Sequence, residues 1–228
     1  EVRLMRDVVL DSYRDAAKYV RLQSDDPALF QHIDHLEHVT DNIQMEVTLF
    51  LTEVMQLSMT PDQARRGYAL IRISDELESI VDYCQNLSKY RARMFRENLK
   101  FTDDARNDLD ELLASTGTFL ENAAGFIIEH HEAAMNDEEV RELIRLSDSI
   151  GERADAIRDS HLKRVQEGRC DAIAGMVFSD VVVAMRRIKN HTVNLIDARI
   201  GRWEERREAL RNLERKTTQR IAAAVDGS

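Results

Sequence analysis

The chain has 228 residues, of which 43% are hydrophobic and 32% charged, with only 8 glycines and 2 prolines. This composition favours long amphipathic helices in one large domain or two small ones. The formal net charge of −10 argues against binding to a nucleic-acid backbone or to anionic lipid, and it is compatible with binding cations. No run of about 18 apolar residues is present, so we expect no segment that inserts into a membrane.

Hydrophobic periodicity predicts six long helices with short connections, over residues 1–22, about 27–57, about 61 to the high 90s, about 103–135, about 137–167 and about 171–200. Asp26 and Thr60 support the starts of the second and third helices, because both are good N-caps and each precedes a proline. Gly201 either kinks the sixth helix or separates it from a polar tail helix over residues 202–224.

The expected fold class is all-α, with two antiparallel three-helix bundles in tandem, because short connections favour antiparallel neighbours. The first repeat is assigned to residues 1–100 and the second, with the tail, to residues 101–228. A shift of 108 residues places Ile80 on Ile188 and Asp82 on Asn190, which indicates an internal repeat.

Apolar residues recur at helical spacing in each of the first three helices. In the first helix they are Leu4, Val8, Tyr13, Ala16 or Ala17, and Val20. The second helix carries the heptad-like series Ile33, Leu36, Thr40, Ile43, Val47, Phe50, Val54 and Leu57. The third carries Leu77, Ile80, Cys84 and Leu87, which predicts a buried thiol at Cys84. The two cysteines form no spacing motif, as suits a reducing compartment.

Two acidic lines with the same i, i+3, i+7 spacing lie beside these apolar series. They are Asp34, Glu37 and Asp41 on the second helix, and Asp75, Glu78 and Asp82 on the third. If the two helices are antiparallel neighbours, six carboxylates converge on one site. Oxygen ligands of this kind suit Fe, Zn, Mn or Mg ions, whereas a single acidic line is more often a solvated face.

The second half lacks most of these carboxylates. The equivalent positions are Asp148, Gly151 and Asp155, with Glu152 nearby, and Val183, Arg186 and Asn190. We therefore predict no comparable metal site there, and we predict that Arg186 pairs with Asp155 or Glu152.

Other residues are weaker candidates for metal ligands or catalytic groups. His32, His35 and His38 recur every three residues, which favours surface or packing roles, with occasional ligation by His38 or His35. No Glu-x-x-His motif of a ferritin-like di-iron site is present. His130 and His131 lie near the end of the fourth helix, where they suit the helix dipole. Without a nucleophile or a phosphate-binding loop, we expect no enzyme activity.

The motifs Glu37–Asp41 and Glu78–Asp82, both E-x-x-x-D, resemble those of PhoU-type domains, regulators associated with phosphate uptake. The string DELESIVDYCQNL is similar to the acidic motif of that family, and RRIKNHTVNL resembles a second copy in which Arg186 and Asn190 replace the acidic pair. The resemblance implies two three-helix repeats, metal clusters of iron or zinc on the acidic motifs, and contacts with membrane transporters and sensor kinases.

The expected function is a non-enzymatic regulatory domain for phosphate transport with one carboxylate metal site in the first repeat. The expected partner is a membrane phosphate transporter domain, in cis or in trans, at the inner face of the plasma membrane. The long helix faces are also compatible with a homodimer. Because the chain starts at Glu1 in helical periodicity, we favour an excised cytoplasmic tail of a sodium/phosphate cotransporter. The alternatives are a free-standing regulator of an ABC phosphate transporter and its sensor kinase, or a metal-free interaction module.

Overall fold

The computed structural model describes residues 1–129 and 137–201, and within them every long element is an α-helix. The helices are α1 (Val2–Arg21), α2 (Pro27–Val54), α3 (Pro61–Arg96), α4 (Asp103–Glu129), α5 (Asp137–Gln166) and α6 (Ala172–Ile200). The expectation of an all-α fold with six long helices is confirmed. The predicted tail helix over residues 202–224 and the pair His130 and His131 lie outside the described residues.

Side-chain caps fix the helix starts that the sequence predicts. The Asp26 carboxylate accepts a hydrogen bond from the Leu29 backbone N–H (3.1 Å), at the start of α2. At the start of α3, Thr60 and Gln63 form a reciprocal capping box, with bonds of 3.3 and 2.9 Å. Gly201 ends α6 in the left-handed conformation (φ 73°), which glycine adopts without steric cost.

The helices pack as two three-helix bundles joined side by side. Helices α1, α2 and α3 contact one another in the first bundle, and α6 contacts both α4 and α5 in the second. The bundles meet where α3 packs along α6 and α1 along α4. The tandem-bundle architecture is therefore confirmed, and the division into repeats at residues 100 and 101 stays a prediction. The described helices include no candidate for a membrane-spanning segment.

The central position of α3 explains its burial on several sides. It contacts α1, α2 and α6, and the predicted apolar series Leu77, Ile80, Cys84 and Leu87 is buried throughout. Burial raises the pKa of the Cys84 thiol to about 12, so this cysteine stays protonated and unreactive near neutral pH.

The predicted apolar series of α2 is wrong at its C-terminal end. Ile33 and Val47 are buried, but Phe50 is 64% exposed and Leu57, beyond the end of the helix, is 68% exposed. Helix α1 has 20 residues and α2 has 28, so the last turns of α2 extend past α1 and are not covered by it. The prediction for α1 also needs correction at Leu4, which is exposed, because this helix turns Met5 and Val9 into the core.

Candidate metal centre

Two hydrogen bonds hold α2 and α3 in antiparallel register at the acidic residues. The Gln44 side chain of α2 donates from Nε2 to Asp75 Oδ1 of α3 (2.7 Å), and Gln85 of α3 donates from Nε2 to Asp34 Oδ1 of α2 (2.7 Å). Ten residues separate Gln44 from Asp34 on α2, and ten also separate Asp75 from Gln85 on α3. The two acidic lines therefore run alongside each other in opposite directions.

This register divides the six acidic residues into an outer pair and an inner four. Asp34 and Asp75 form the outer pair, and each already accepts a hydrogen bond from a glutamine of the opposite helix. The inner four, hereafter the inner carboxylates, are Glu37, Asp41, Glu78 and Asp82. By the same register, Glu37 lies opposite Asp82, and Asp41 lies opposite Glu78.

The inner carboxylates form a cluster that is open to solvent on one side. Glu37, Glu78 and Asp82 are half-buried, whereas Asp41 is exposed. The burial of three of them between two helices removes water that would otherwise stabilise their charges. The exposed position of Asp41 provides a route by which an ion can reach the cluster.

Burial and mutual repulsion raise the pKa values of three inner carboxylates. Burial, followed by the charges of Asp82, Asp41 and Asp75, raises the pKa of Glu78 to about 7. Burial likewise raises the pKa of Asp82, with Asp41 as the next cause, and it raises the pKa of Glu37. The cluster therefore holds protons or attracts a cation near neutral pH.

Few positively charged groups of the described residues offset the negative charge of the inner carboxylates. His38 Nδ1 lies 3.0 Å from Glu37 Oε2, but that buried oxygen lacks a partner with hydrogen-bond geometry among the described residues. The Ser79 hydroxyl donates to Glu78 Oε2 (3.3 Å). Lys89 lowers the pKa of Asp82, although its ammonium group donates to Gln85 Oε1 (2.6 Å).

The donor chemistry of the inner carboxylates fits a hard or borderline metal ion, since carboxylate oxygens are the ligands that such ions prefer. The side chains as positioned do not form a complete site. Within residues 1–129 and 137–201, no group of three or more His, Cys, Asp or Glu side chains is arranged to hold a metal ion. Binding would require the inner carboxylates to turn toward a common point.

The model of the PhoU domain family matches residues 2–90, which contain α1, α2, nearly all of α3 and every one of the six acidic residues. Residues 2–90 are therefore a PhoU-like domain. No curated protein matches the chain. The acidic centre thus lies wholly inside the PhoU domain.

The fold of the described residues is similar to that of a solved PhoU structure. The crystal structure of PhoU from Pseudomonas aeruginosa aligns with a TM-score of 0.77 at 10% sequence identity, covering 87% of this chain and 91% of that one. At this identity the likeness establishes the fold alone. Because the alignment covers most of the chain, the second bundle shares this architecture although the PhoU domain match ends at residue 90.

The second bundle has an ion pair at the position equivalent to the acidic centre of the PhoU domain. Arg186 Nη1 donates to Asp155 Oδ1 (2.5 Å), which confirms one of the two predicted pairings. Arg158 lies 4.0 Å from the same carboxylate oxygen. Asp155 is therefore matched by positive charge, in contrast to the inner carboxylates of the PhoU domain.

The histidines of α2 have surface contacts in the PhoU domain. His32 Nδ1 lies 2.9 Å from Asp15 Oδ2 on α1, and His35 is exposed. His38 is exposed and lies beside Glu37 and Asp34. Of the three, only His38 is placed to add a ligand to the acidic centre by a change of rotamer.

A buried polar cluster that the sequence did not predict lies between the PhoU domain and the second bundle. Glu76 of α3 is 2% exposed, and its Oε2 accepts hydrogen bonds from His191 Nδ1 (2.7 Å) and Asn194 Nδ2 (3.0 Å) of α6. Arg72 forms an ion pair with the other oxygen, and the His191 ring stacks on Tyr83 (5.5 Å between centroids). Because Glu76 stands between Asp75 and Glu78, its charge did not distinguish it in the sequence.

Proposed function

We propose that the chain is a non-enzymatic regulatory domain for phosphate transport that holds one metal site between α2 and α3. PhoU domains are associated with the regulation of phosphate uptake, and the family is regulatory. The observation that carries the proposal is the antiparallel register of two E-x-x-x-D motifs, Glu37–Asp41 and Glu78–Asp82, within the PhoU domain. A bound cation would offset the repulsion that raises their pKa values.

In this proposal the inner carboxylates are the metal ligands, and Asp34 and Asp75 support them. The outer aspartates are bound to Gln85 and Gln44, so they fix the spacing of the helices. The ion is a hard or borderline metal of the group Fe, Zn, Mn and Mg, since each accepts carboxylate oxygens. When bound, it supplies positive charge that links α2 to α3.

The proposed partner is a membrane phosphate transporter domain, contacted in cis or in trans at the cytoplasmic face of the membrane. We favour the cis arrangement, in which this chain is a cytoplasmic part of a sodium/phosphate cotransporter. A free-standing regulator of an ABC phosphate transporter and its sensor kinase is the other arrangement, and self-association as a homodimer is compatible with both.

A specific observation supports a second candidate, a metal-free helical interaction module. Met45, Leu49 and Phe50 of α2 are all more than half exposed, and Met45 and Leu49 lie one turn apart on the same face of the helix. Exposed apolar side chains in a contiguous group commonly mark a protein contact. In this alternative the inner carboxylates stay partly protonated and bind no metal.

Metal analysis of the full chain distinguishes the two candidates. Protein purified without chelator is analysed by elemental mass spectrometry, and chelated protein is then titrated anaerobically with Fe²⁺, Mn²⁺, Zn²⁺ and Mg²⁺ by calorimetry. We expect one class of metal site in the wild type and at least about tenfold weaker binding in Glu78→Gln, because a ligand is lost.

The matched control is Glu152→Gln, which removes one exposed carboxylate from the second bundle. It should leave metal affinity within about twofold of the wild type, since it lies outside the acidic centre. Absence of metal from the wild type, or equal weakening by both variants, would exclude the metal site and favour the interaction module.

A further inference from the structure

A cavity of about 230 Å³ lies where the end of α1, the end of α3 and the beginning of α4 meet. It therefore lies at the junction between the two bundles. Its lining is rich in guanidinium groups and consists of Val20, Arg21, Gln23, Arg91, Phe101, Arg106, Asn107, Leu109 and Asp110. The nearest inner carboxylate along α3 is Asp82, nine residues from Arg91, or roughly 14 Å along the helix axis. The cavity is thus separate from the acidic centre.

Arg91 is the buried charged residue of this cavity. It is 5% exposed, and its Nη2 donates to the backbone oxygen of Leu22, just beyond the end of α1. Its Nε and Nη1 are buried and have no hydrogen-bond partner within the part of the chain that the structure describes. A guanidinium has five N–H donors, so three of them, on Nε and Nη1, are left without an acceptor.

The contacts of Arg91 with aromatic rings do not satisfy these donors. Its guanidinium carbon lies 4.3 Å from the ring centroid of Phe95 and 5.5 Å from that of Phe101. These contacts stabilise the cation from its faces, whereas the N–H groups point outward in the guanidinium plane. Burial lowers the pKa of Arg91, which reflects the cost of an uncompensated charge at this position. An acceptor in the cavity would remove that cost.

The charges around the cavity favour an anion. Arg21 and Arg106 add two further guanidinium groups, both partly exposed at the opening. The carboxylate of the lining, Asp110, is engaged by Arg21 Nε at 2.9 Å. The lining therefore carries three positive groups and one negative group, with Arg106 also paired to Asp103 beside it, in a chain whose formal net charge is −10. Such a local excess concentrates small anions.

We propose that this cavity binds a small oxyanion with at least two negative charges, in the size class of inorganic phosphate, with Arg91 as its buried donor. The unpartnered N–H groups of Arg91 on Nε and Nη1 supply charge-assisted hydrogen bonds to the oxygens of such a ligand. Arg106 and Arg21 contribute charge at the opening. The proposal rests on the geometry of this cavity and does not depend on the proposed metal site.

Calorimetric titration of the full chain at low ionic strength tests the proposal, because exposed charges are least screened there. The probes are inorganic phosphate, sulfate, succinate and ribose 5-phosphate, each as the sodium salt. We expect saturable binding of phosphate or sulfate at one site per chain, with a dissociation constant of about 1 mM or lower. Tighter binding of ribose 5-phosphate would identify a phosphate monoester as the ligand, and tighter binding of succinate a dicarboxylate.

Two variants of the cavity and one matched control locate the binding. Arg91→Met removes the buried donor, and Arg106→Gln removes a charge at the opening without disturbing the core. Arg65→Gln is the matched control. Arg65 pairs with Asp62 three residues earlier, just as Arg106 pairs with Asp103. Arg65 lies at the start of α3, however, and therefore away from the cavity. We expect binding to be abolished by Arg91→Met, weakened roughly fivefold by Arg106→Gln, and unchanged by Arg65→Gln.

Two results would overturn the proposal. One is the absence of saturable binding of every probe to the wild type. The other is equal weakening by Arg106→Gln and Arg65→Gln, which would show a general effect of surface charge. Because Arg106 is partly exposed, this second comparison remains decisive even if Arg91→Met fails to fold.

Discussion

The buried carboxylate of Glu76 links the two bundles, and its removal should destabilise the whole chain. The substitution Glu76→Ala deletes the acceptor of the His191 and Asn194 hydrogen bonds between α3 and α6. It also releases Arg72, whose side chain is partly exposed and can turn to water. The loss therefore falls mainly on the two groups of α6.

The magnitude follows from these contacts. Each hydrogen bond to a charged group contributes about 1.5–3 kcal/mol. Relief of the desolvation of a carboxylate that is 2% exposed offsets part of this loss. We expect Glu76→Ala to lower the free energy of unfolding by about 3 kcal/mol. The control Glu46→Ala, at an exposed position of α2, should change it by less than about 0.5 kcal/mol.

Urea unfolding followed by far-ultraviolet circular dichroism measures both values, with chelator present so that bound metal does not contribute. A double-mutant cycle with His191→Ala should give a coupling of about 1–2 kcal/mol, because the two side chains are in direct contact. A loss below about 1 kcal/mol for Glu76→Ala, or a coupling near zero, would refute the view that this cluster joins the bundles.

Three further predictions test other parts of the molecule. In chelated protein the free energy of unfolding should fall by about 1–2 kcal/mol between about pH 4.5 and about pH 7, after allowance for solvent screening. The reason is that folding raises the pKa of Glu78 to about 7, so the folded state binds this proton more tightly than the unfolded state does. Urea unfolding across this range should show a flatter pH dependence in Glu78→Gln, and an unchanged slope would contradict the prediction. Gly117→Ala should destabilise the chain by about 1–3 kcal/mol in thermal unfolding, because the new Cβ would lie 2.9 Å from the Tyr13 ring. The Cβ of Gly125→Ala would meet no atom of the described residues within 4 Å, so this control should be neutral or stabilising. Arg186→Gln breaks an exposed ion pair of the second bundle and should cost less than about 1 kcal/mol in the same assay; a larger loss would mean that this pair is required for the fold.

The helices could be predicted from the sequence because their signals are local. Asp26 and Thr60 precede prolines and cap α2 and α3 as expected. Burial along a helix was harder to predict, since it depends on how far the neighbouring helices extend. Phe50 continues the apolar spacing of α2 and is nevertheless exposed, because α1 is too short to cover this part of α2.

The acidic centre could be predicted as two matching lines of carboxylates, but its internal division could not. The spacing of Asp34 and Asp75 within their lines does not distinguish them from the inner carboxylates. Their different role depends on Gln44 and Gln85, which donate across the helix interface. The spacing of the carboxylates marks neither glutamine, so only the register of the folded helices reveals their role.

Glu76 and Arg91 were missed for a related reason. Each is a charged residue in an amphipathic helix, where charge normally indicates a solvated face. Helix α3 is covered by α1, α2 and α6, so it has little solvated face at these positions. Their burial follows from contacts with residues more than 60 positions away in the sequence, such as the contact of Arg91 with Leu22. The periodicity of one helix carries no information on such contacts.

The pairing of Gln44 with Asp75 and of Gln85 with Asp34 makes the alignment of α2 and α3 discrete. Sliding one helix past the other by a turn, about 5.4 Å, would break both bonds at once. Because the donors are uncharged amides, this alignment depends on ionic strength much less than an alignment by exposed ion pairs would. The repulsion between the two acidic lines strengthens as salt is removed. The amide hydrogen bonds do not weaken under these conditions, so the helices keep their alignment where repulsion is strongest.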